Sequence, residues 1–134
     1  MKLLDSTFLV DYWAGEESVE EYLERHGDTE TFVSTSINLK EIAVGRAVLG
    51  RLDRNELHTT FAWIDFLPFE TEHAFHAAVL EANLRDDPAV NRDRINSLAG
   101  DILIAAVGRA TGATVVTRNT KDFERFDGVA VDSY

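Results

Sequence analysis

The stretch GDILIAAVGRATGATVVTRNTKDF, from Gly100 to Phe123, contains the pattern that decides the fold. Its apolar run from Ile102 to Val107 predicts a buried helix over residues 101–111, and Gly112 is a typical residue to end it. The next apolar run, ATVVT from Ala113 to Thr117, predicts a β-strand. A helix that leads directly into a strand indicates an α/β fold in which helices cover the strand.

The rest of the chain repeats this alternation of short apolar runs and longer helical patterns. Predicted strands lie at residues 2–4, 31–35, 64–69, 113–117 and 128–131. Predicted helices lie at residues 6–12, 16–26, 38–49, 54–63, 71–84 and 101–111, and the polar segment 85–97 is predicted as a loop or a helix hinge. Strands separated by helices indicate a mostly parallel sheet covered on both faces.

The length and composition of the chain narrow its class. Its 134 residues, of which 45% are apolar, fit one domain over residues 1–134. The absence of cysteine excludes disulfides, thiolate metal sites and cysteine nucleophiles. No apolar run approaches the ~20 residues of a membrane span, and the N-terminus does not have the pattern of a signal peptide. We therefore expect a cytoplasmic protein with no membrane association.

The charge of the chain is strongly unbalanced, with 24 acidic residues against 13 basic ones and a net charge of −11. This charge argues against simple nonspecific binding to nucleic-acid phosphates. Only three of the basic residues are lysine, and an acid-rich, lysine-poor surface is also what a salt-adapted protein shows. Composition alone therefore leaves the binding partner open.

Four acidic residues fall where the predicted elements meet one edge of the sheet. Asp5 ends the first strand, and Glu41 lies in the first turn of the helix after the second strand. Asp101 begins the apolar helix, and Asp122 follows the strand ATVVT. Four carboxylates brought together there would repel one another, and a divalent ion would relieve the repulsion. Oxygen-only ligation suits Mg²⁺ or Mn²⁺, which can activate water and stabilise a phosphodiester during hydrolysis.

Each of these acids also has an ordinary structural explanation that the sequence leaves open. Asp5 could cap the first helix, and Asn38-x-x-Glu41 resembles a capping box. Asp101 is a good N-cap, favoured by the helix dipole, and Asp122 could lie in a solvated turn. The metal hypothesis depends on whether the four positions converge in space.

Three segments carry a resemblance to a known family. They are LLDSTFLVDYW at residues 3–13, SINLKEIAVG at residues 36–45 and GDILIAAVGRATGATVVTRNTKDFERFDGVAV at residues 100–131. In order, spacing and length they resemble the PIN domain, and within it the VapC-like toxin ribonucleases of toxin–antitoxin pairs. The resemblance covers essentially the whole chain, and its closing segment is the most specific part.

The resemblance implies a PIN-like three-layer α/β/α sandwich, a pocket holding Mg²⁺ or Mn²⁺, RNA as substrate, a cognate antitoxin and a homodimer. Asp5 and Asp101 match the family's principal metal ligands, and Glu41 matches the acid that completes the site. Family members place a fourth acid where either Asn119 or Asp122 stands in this chain. Because asparagine carries no charge, Asp122 is the better candidate for the fourth carboxylate.

Several neighbouring residues match supporting positions of such a site. The hydroxyls of Ser6 and Thr117 could orient ligands or phosphate, and Asn119 could supply a carbonyl oxygen. Asn38 departs from the family pattern, in which Thr is frequent at this position. The departure leaves the four acids intact.

The leading interpretation is a metal-dependent endoribonuclease that acts as the toxin of a type II toxin–antitoxin module. One alternative is a PIN-type nuclease that acts in RNA processing or on DNA. Another is a receiver-like signalling domain whose aspartate accepts phosphate, although the region after the third predicted strand offers Glu70 but no matching pattern and Lys121 is in the wrong context. A catalytically inactive binding partner is the third alternative.

Other features have ordinary interpretations. His73 and His76 are predicted to lie on a solvated helix face rather than to bind metal. Gly108 is predicted to allow close helix packing. Arg94 and Arg118 could bind RNA phosphates, but ion pairing on an acid-rich surface explains them equally well.

Overall fold

One five-stranded parallel sheet forms the centre of the computed structural model, which describes residues 1–134. The strands are β1 (Lys2–Leu4), β2 (Phe32–Thr35), β3 (Asp65–Leu67), β4 (Thr114–Val116) and β5 (Ala130–Asp132). Their order across the sheet is β3-β2-β1-β4-β5, and every neighbouring pair is parallel. The five predicted strands are confirmed, and the sheet is parallel throughout.

Eight helices connect and cover these strands. They are α1 (Ser6–Ala14), α2 (Glu17–His26), α3 (Ser36–Val48), α4 (Arg54–Thr60), α5 (Thr71–Asp86), α6 (Arg92–Ser97), α7 (Ala99–Thr111) and α8 (Thr120–Phe123). No helix combines the length and the apolar character that crossing a bilayer requires. The predicted α/β/α sandwich is confirmed, because the helices cover both faces of the sheet.

The hydrophobic core has two halves, one on each face of the sheet. Because side chains alternate along a strand, Leu3 and Leu4 of β1 point to opposite faces. Leu3 packs with Val115 and the apolar side of α7, whereas Leu4 packs with Val116 and residues of α1 and α3. Asp5 is the next residue after Leu4, so this candidate metal ligand directly follows the buried end of β1.

The polar segment 85–97 is more regular than its sequence suggests. Helix α5 continues to Asp86, and a separate helix, α6, forms over residues 92–97, so the prediction of a loop or hinge is wrong for much of this segment. The side chain of Asn91 accepts a hydrogen bond from the backbone N–H of Arg94 at 2.8 Å, which caps α6. Buried Ile95 anchors this polar helix to the core.

The buried face of α5 differs from the predicted one. The helical spacing in the sequence predicts an apolar face made of Ala74, Phe75, Ala78, Val79 and Ala82. The residues buried in the structure are His73, Ala77, Leu80 and Leu84, whereas the Phe75 side chain is 67% exposed. Both sets have helical spacing, and α5 buries the one that contains its two leucines. The prediction of a solvated His73 is also wrong, because His73 is only 6% exposed, and its Nδ1 accepts a hydrogen bond from the Glu70 backbone N–H at 2.9 Å.

Two helix-interior glycines allow a test of how closely α7 packs on the sheet. A Cβ added at Gly108 in α7 would lie 3.0 Å from Val115 Cγ2, whereas a Cβ at Gly45 in α3 would meet nothing within 4 Å. We expect Gly45→Ala to stabilise the protein, because alanine favours helix by ~1 kcal/mol over glycine. Gly108→Ala gains the same propensity but overpacks the core, and should be about 1–3 kcal/mol less stable than Gly45→Ala in urea unfolding. Equal stabilities would contradict this packing.

Candidate metal centre

Asp5 lies directly after β1, at the edge where the parallel strands end. It occupies the N-cap position of α1 in extended conformation, but its carboxylate caps no backbone N–H of that helix. Instead, Oδ2 accepts a hydrogen bond from Thr117 Oγ1 at 2.8 Å, and Oδ1 accepts one from Asn38 Nδ2 at 3.2 Å. The capping explanation of this acid is therefore wrong. Hydrogen bonds from two other elements fix a carboxylate that is only 3% exposed.

Asn38 links β2, α1 and α3 beneath the candidate site. Its Oδ1 accepts a hydrogen bond from Thr35 Oγ1 at 2.6 Å, while its Nδ2 also donates to Ser6 Oγ at 3.0 Å. The capping box of α3 is formed by Thr35 and Asn38, so the predicted box of Asn38 and Glu41 is wrong. Helix α3 begins at Ser36, which places Glu41 in its second turn rather than its first.

Glu41 is free of any capping role and faces the other acids. It lines a groove between α1 and α3 together with Ser6. Loss of hydration in this groove, followed by repulsion from Asp5, raises the pKa of the Glu41 carboxyl, while a hydrogen bond from Ser6 opposes the shift. The start of α7 is close by, because a Cβ added at Gly100 would lie 3.5 Å from Glu41 Oε1.

Asp101 lies in the first turn of α7, whose N-cap is Leu98. The interpretation of Asp101 as the N-cap is therefore wrong by three residues. Burial raises the pKa of its carboxyl to about 7, with further contributions from the charges of Asp5, Glu41 and Asp122. The guanidinium of Arg94 lowers this pKa but does not offset the rise. Each of the other three candidate acids thus acts on Asp101.

Asp122 lies in the short helix α8, where it forms a short ion pair with Arg94 of α6. The expectation of a solvated turn is therefore wrong. Arg94, for which the sequence left RNA binding and ion pairing equally open, therefore forms an ion pair in the structure. The ion pair also holds Asp122 within range of the charge of Asp101.

The structure brings Asp5, Glu41 and Asp122 within electrostatic range of Asp101 without forming a finished chelate. No group of three or more Asp, Glu or His side chains has the spacing needed to hold one metal ion. Hydrogen bonds restrain Asp5, and an ion pair restrains Asp122. In donor chemistry the residues fit a hard divalent cation, because every candidate ligand is a carboxylate and their repulsion is what such an ion would relieve.

The supporting residues surround Asp5 rather than the other acids. Thr117 donates directly to its carboxylate, and Thr7 Oγ1 lies 3.3 Å from both Asp5 Oδ2 and Thr117 Oγ1. Asn119 contributes its backbone N–H to Thr117 Oγ1 at 3.0 Å, and its side chain makes no capping hydrogen bond. Ser6 is an acceptor for Asn38, and its proximity to Glu41 places it between two of the acids.

Comparison with known proteins identifies the family. The PIN domain profile matches residues 2–129. The chain belongs to the PIN domain family. The PIN domain is a nuclease domain. No curated protein matches the chain.

Solved structures with the same PIN fold include several toxin–antitoxin complexes. VapBC2 from Rickettsia felis, bound to a DNA fragment from its promoter, has a TM-score of 0.79 at 21% identity and covers 99% of this chain and 98% of its own. DNA-bound VapBC from Salmonella typhimurium has a TM-score of 0.78 at 24% identity, with 98% and 96% covered. FitAB bound to the IR36 DNA fragment has a TM-score of 0.70 at 26% identity, with 99% and 94% covered.

Membership of the PIN family rules out the receiver-like alternative. The strand order also argues against it, because receiver domains have the order 2-1-3-4-5, whereas this sheet has β3-β2-β1-β4-β5. In both orders the central strand borders a crevice at the carboxyl edge of the sheet. In this PIN domain the central strand is β1, which leads into Asp5.

Sequence reasoning missed the structural role of Asn38 in the PIN site. It regarded Asn38 as a capping residue and as a departure from the family pattern. The useful signal was its position one helical turn before Glu41, which places both residues on the side of α3 that faces Asp5. Thr7 was also missed, since a threonine at a helix start is ordinarily a capping residue.

Replacing Asn38 with Asp should destabilise the metal-free protein strongly. The substitution keeps the shape but replaces the amide donor to Asp5 with a second buried carboxylate. We expect a loss of about 2–4 kcal/mol in urea unfolding with EDTA. Asn91→Asp is the matched control, because aspartate caps helix α6 as well as asparagine does. A similar small effect for both variants would show that Asn38 does not support Asp5.

Proposed function

We propose that this PIN domain is a metal-dependent endoribonuclease and the toxin of a type II toxin–antitoxin module. The observation that supports the proposal best is the coupling of four carboxylates at the carboxyl edge of the sheet. Asp101 has a pKa of about 7 because it is buried close to Asp5, Glu41 and Asp122. Structural acids normally avoid such an arrangement, whereas metal-dependent active sites use it.

Asp5, Glu41, Asp101 and Asp122 are the residues we assign to an Mg²⁺ or Mn²⁺ site. A bound divalent ion would supply an activated water and neutralise charge on the phosphodiester. Asp5 and Asp101 are the best-ordered ligands, since Asp5 is fixed by hydrogen bonds and Asp101 is part of the buried helix α7. Asp122 already pairs with Arg94, so its carboxylate would have to bind both the arginine and the metal ion, or give up the ion pair.

Glu41 is the residue we assign to proton transfer. Its carboxylate lies in a groove open to solvent, and its pKa is raised by reduced hydration and by Asp5. A higher pKa makes the carboxylate a better acceptor for the proton of the attacking water. Ser6 lies beside Glu41 in this groove, and its hydroxyl would orient that carboxylate toward the crevice.

RNA cleavage is the direct test of this function. We expect the protein to cut members of a panel of structured and single-stranded RNAs with Mg²⁺ or Mn²⁺, and not with EDTA. Asp5→Ala should be inactive while remaining folded by circular dichroism. Failure to cut any RNA at any salt concentration would contradict the proposal, and cleavage of matched DNA alone would favour the DNA-directed alternative.

A cognate antitoxin is the partner we propose for the groove between α1 and α3. The groove has a volume of about 440 Å³, and its lining includes Ser6 and Glu41 as well as the apolar side chains of Val10 and Leu49. Val10 is 55% exposed and Leu49 is 64% exposed. A partner segment seated there would cover Glu41 and block the site. A PIN nuclease of RNA processing would need no such inhibitor, so inhibition by the product of an adjacent small gene distinguishes the two.

A homodimer is the second assembly we propose. Phe75 and Val79 project from α5 with exposed fractions of 67% and 46%. An apolar groove between α5 and α7 begins beside them, and its lining includes Ala78 and Leu103. An exposed apolar surface of this kind is typical of a protein interface. Light scattering of the purified protein, with Phe75→Glu as the disrupting variant, would test it.

A further inference from the structure

Arg118 follows β4 and is tied by its backbone to the hydrogen-bond network around Asp5. Its N–H donates to Thr7 Oγ1 at 3.1 Å, and that hydroxyl lies 3.3 Å from Asp5 Oδ2. Arg118 is therefore two hydrogen bonds away from a principal candidate ligand. The backbone contact fixes the position of Arg118 next to this network.

The side chain of Arg118 is held by a second acid that is not part of the metal centre. Its guanidinium contacts Oδ2 of Asp11, a residue of α1 that is only 7% exposed. The same oxygen accepts a hydrogen bond from the Tyr134 hydroxyl at 2.6 Å. Asp11 thus orients the guanidinium from the protein side, and Tyr134 orients Asp11.

The guanidinium remains accessible despite this ion pair. The Arg118 side chain is 61% exposed, and a guanidinium has five N–H donors, more than one carboxylate oxygen can use. Residues 118–122 line a cavity of about 320 Å³ that contains no hydrophobic side chain. A chain with a net charge of −11 repels a polyanion. A fixed positive charge beside the acidic crevice would offset this repulsion locally and attract a phosphate group.

We propose that Arg118 binds a phosphate of the substrate strand next to the scissile one, and that Asp11 is its positioning residue. The proposal rests on the function proposed above, because it requires a nucleic-acid strand in the crevice. Planar guanidinium donors suit phosphate oxygens, and pre-orientation by Asp11 reduces the entropy that binding must remove. Arg118 would then fix the register of the strand relative to Asp5.

The competing explanation is that Arg118 only neutralises Asp11. Arg85 of α5 provides a matched control for this possibility, since it pairs with Glu81 at 2.9 Å and its side chain is 57% exposed. Both arginines form one ion pair at a similar exposure. They differ in that only Arg118 is joined to the Asp5 network and to the polar cavity.

Binding should be measured by fluorescence anisotropy with a single-stranded RNA that the wild-type protein cleaves, in an Asp101→Asn background to prevent turnover. Arg118→Gln should weaken binding by about 3–10-fold at low salt and lower the slope of log K against log salt by about 0.7, the value for one phosphate contact on a single strand. Arg118→Lys should keep most of the slope but not all of the affinity. Asp11→Asn should weaken binding without changing the slope.

The outcomes separate this inference from the proposed function. If RNA binds the parent but Arg118→Gln changes the slope no more than Arg85→Gln does, Arg118 is only an ion-pair partner and the inference is overturned. If the wild-type protein cleaves no RNA, the proposed substrate and the inference fail together. Thermal unfolding of each variant checks that the fold persists. If the Gln variant is unstable, Arg118→Lys can replace it, because lysine keeps a positive charge beside Asp11.

Discussion

Replacing Asp101 with Asn is expected to abolish RNA cleavage and, at the same time, to make the metal-free protein more stable. The activity loss should be at least ~100-fold, because one carboxylate of the charge-stabilising site is removed. The side chain keeps its size and its place in the first turn of α7, so the fold has no reason to change. Initial rates on a cleaved RNA at saturating Mn²⁺ measure the first effect.

The stability gain follows from the raised pKa of Asp101. A carboxyl whose pKa rises from 3.8 to about 7 on folding is easier to protonate in the native state than in the unfolded state. Above pH 7 its charge therefore opposes folding, and a neutral amide removes that cost. We expect a gain of about 1–3 kcal/mol at pH 8 with EDTA, after allowance for the part of the side chain that water still screens.

Asp93→Asn is the matched control for the stability gain. Asp93 also lies in the first turn of a helix, α6, but it is exposed. Its charge favours the helix dipole, so the substitution should cost a few tenths of a kcal/mol. Stabilisation by Asp101→Asn together with slight destabilisation by Asp93→Asn would identify Asp101 as a functional acid. A loss of stability in both variants would mean that Asp101 is a structural N-terminal acid after all.

The parallel sheet was predictable because it depends on local patterns that the sequence states directly. Short apolar runs at β1, β2 and β4 can be buried only between two layers of helices. Once the strands are parallel, residues that follow them must lie at one edge. The convergence of Asp5 and Asp101 therefore followed from chain order and helix direction alone.

The side-chain contacts between elements were less predictable, because they depend on tertiary packing. The partner of Asp122 is Arg94, which is 28 residues away and belongs to a helix that the sequence did not clearly predict. Thr35 is the N-cap of α3 and Asn38 closes the capping box through its Oδ1, which leaves the Nδ2 of Asn38 to donate to Asp5. A single sequence shows which side chains can donate and accept, but packing decides which of them meet.

The metal-free protein is expected to lose stability as the pH rises from about 4 to 7. Asp101 binds its proton more tightly in the folded state, with a pKa of about 7 against 3.8. In this window the native state holds more protons than the unfolded state, so the free energy of unfolding falls with pH. The slope from this one group cannot exceed ~1.4 kcal/mol per pH unit. Glu41, whose pKa is also raised, adds in the same direction.

A divalent ion should reverse this dependence, because it binds the deprotonated carboxylates. We expect Mn²⁺ at about 100 times its dissociation constant to raise the unfolding temperature by about 5–10 °C at pH 8. At pH 5 the shift should be much smaller, since protons compete for the same oxygens. Differential scanning fluorimetry across this pH range, with EDTA, Mn²⁺ or Ca²⁺, measures both effects.

Two variants connect this behaviour to the proposed site. Asp101→Asn should flatten the pH dependence in EDTA and reduce the Mn²⁺ shift, because it removes both the carboxyl with the raised pKa and a proposed metal ligand. Asp65→Asn, at an exposed position in β3, should change neither. An Mn²⁺ shift of equal size at pH 5 and pH 8, or one that Asp101→Asn leaves intact, would place the ion elsewhere on this acidic surface. The carboxylates at the sheet edge would then need a different explanation for their unfavourable proximity.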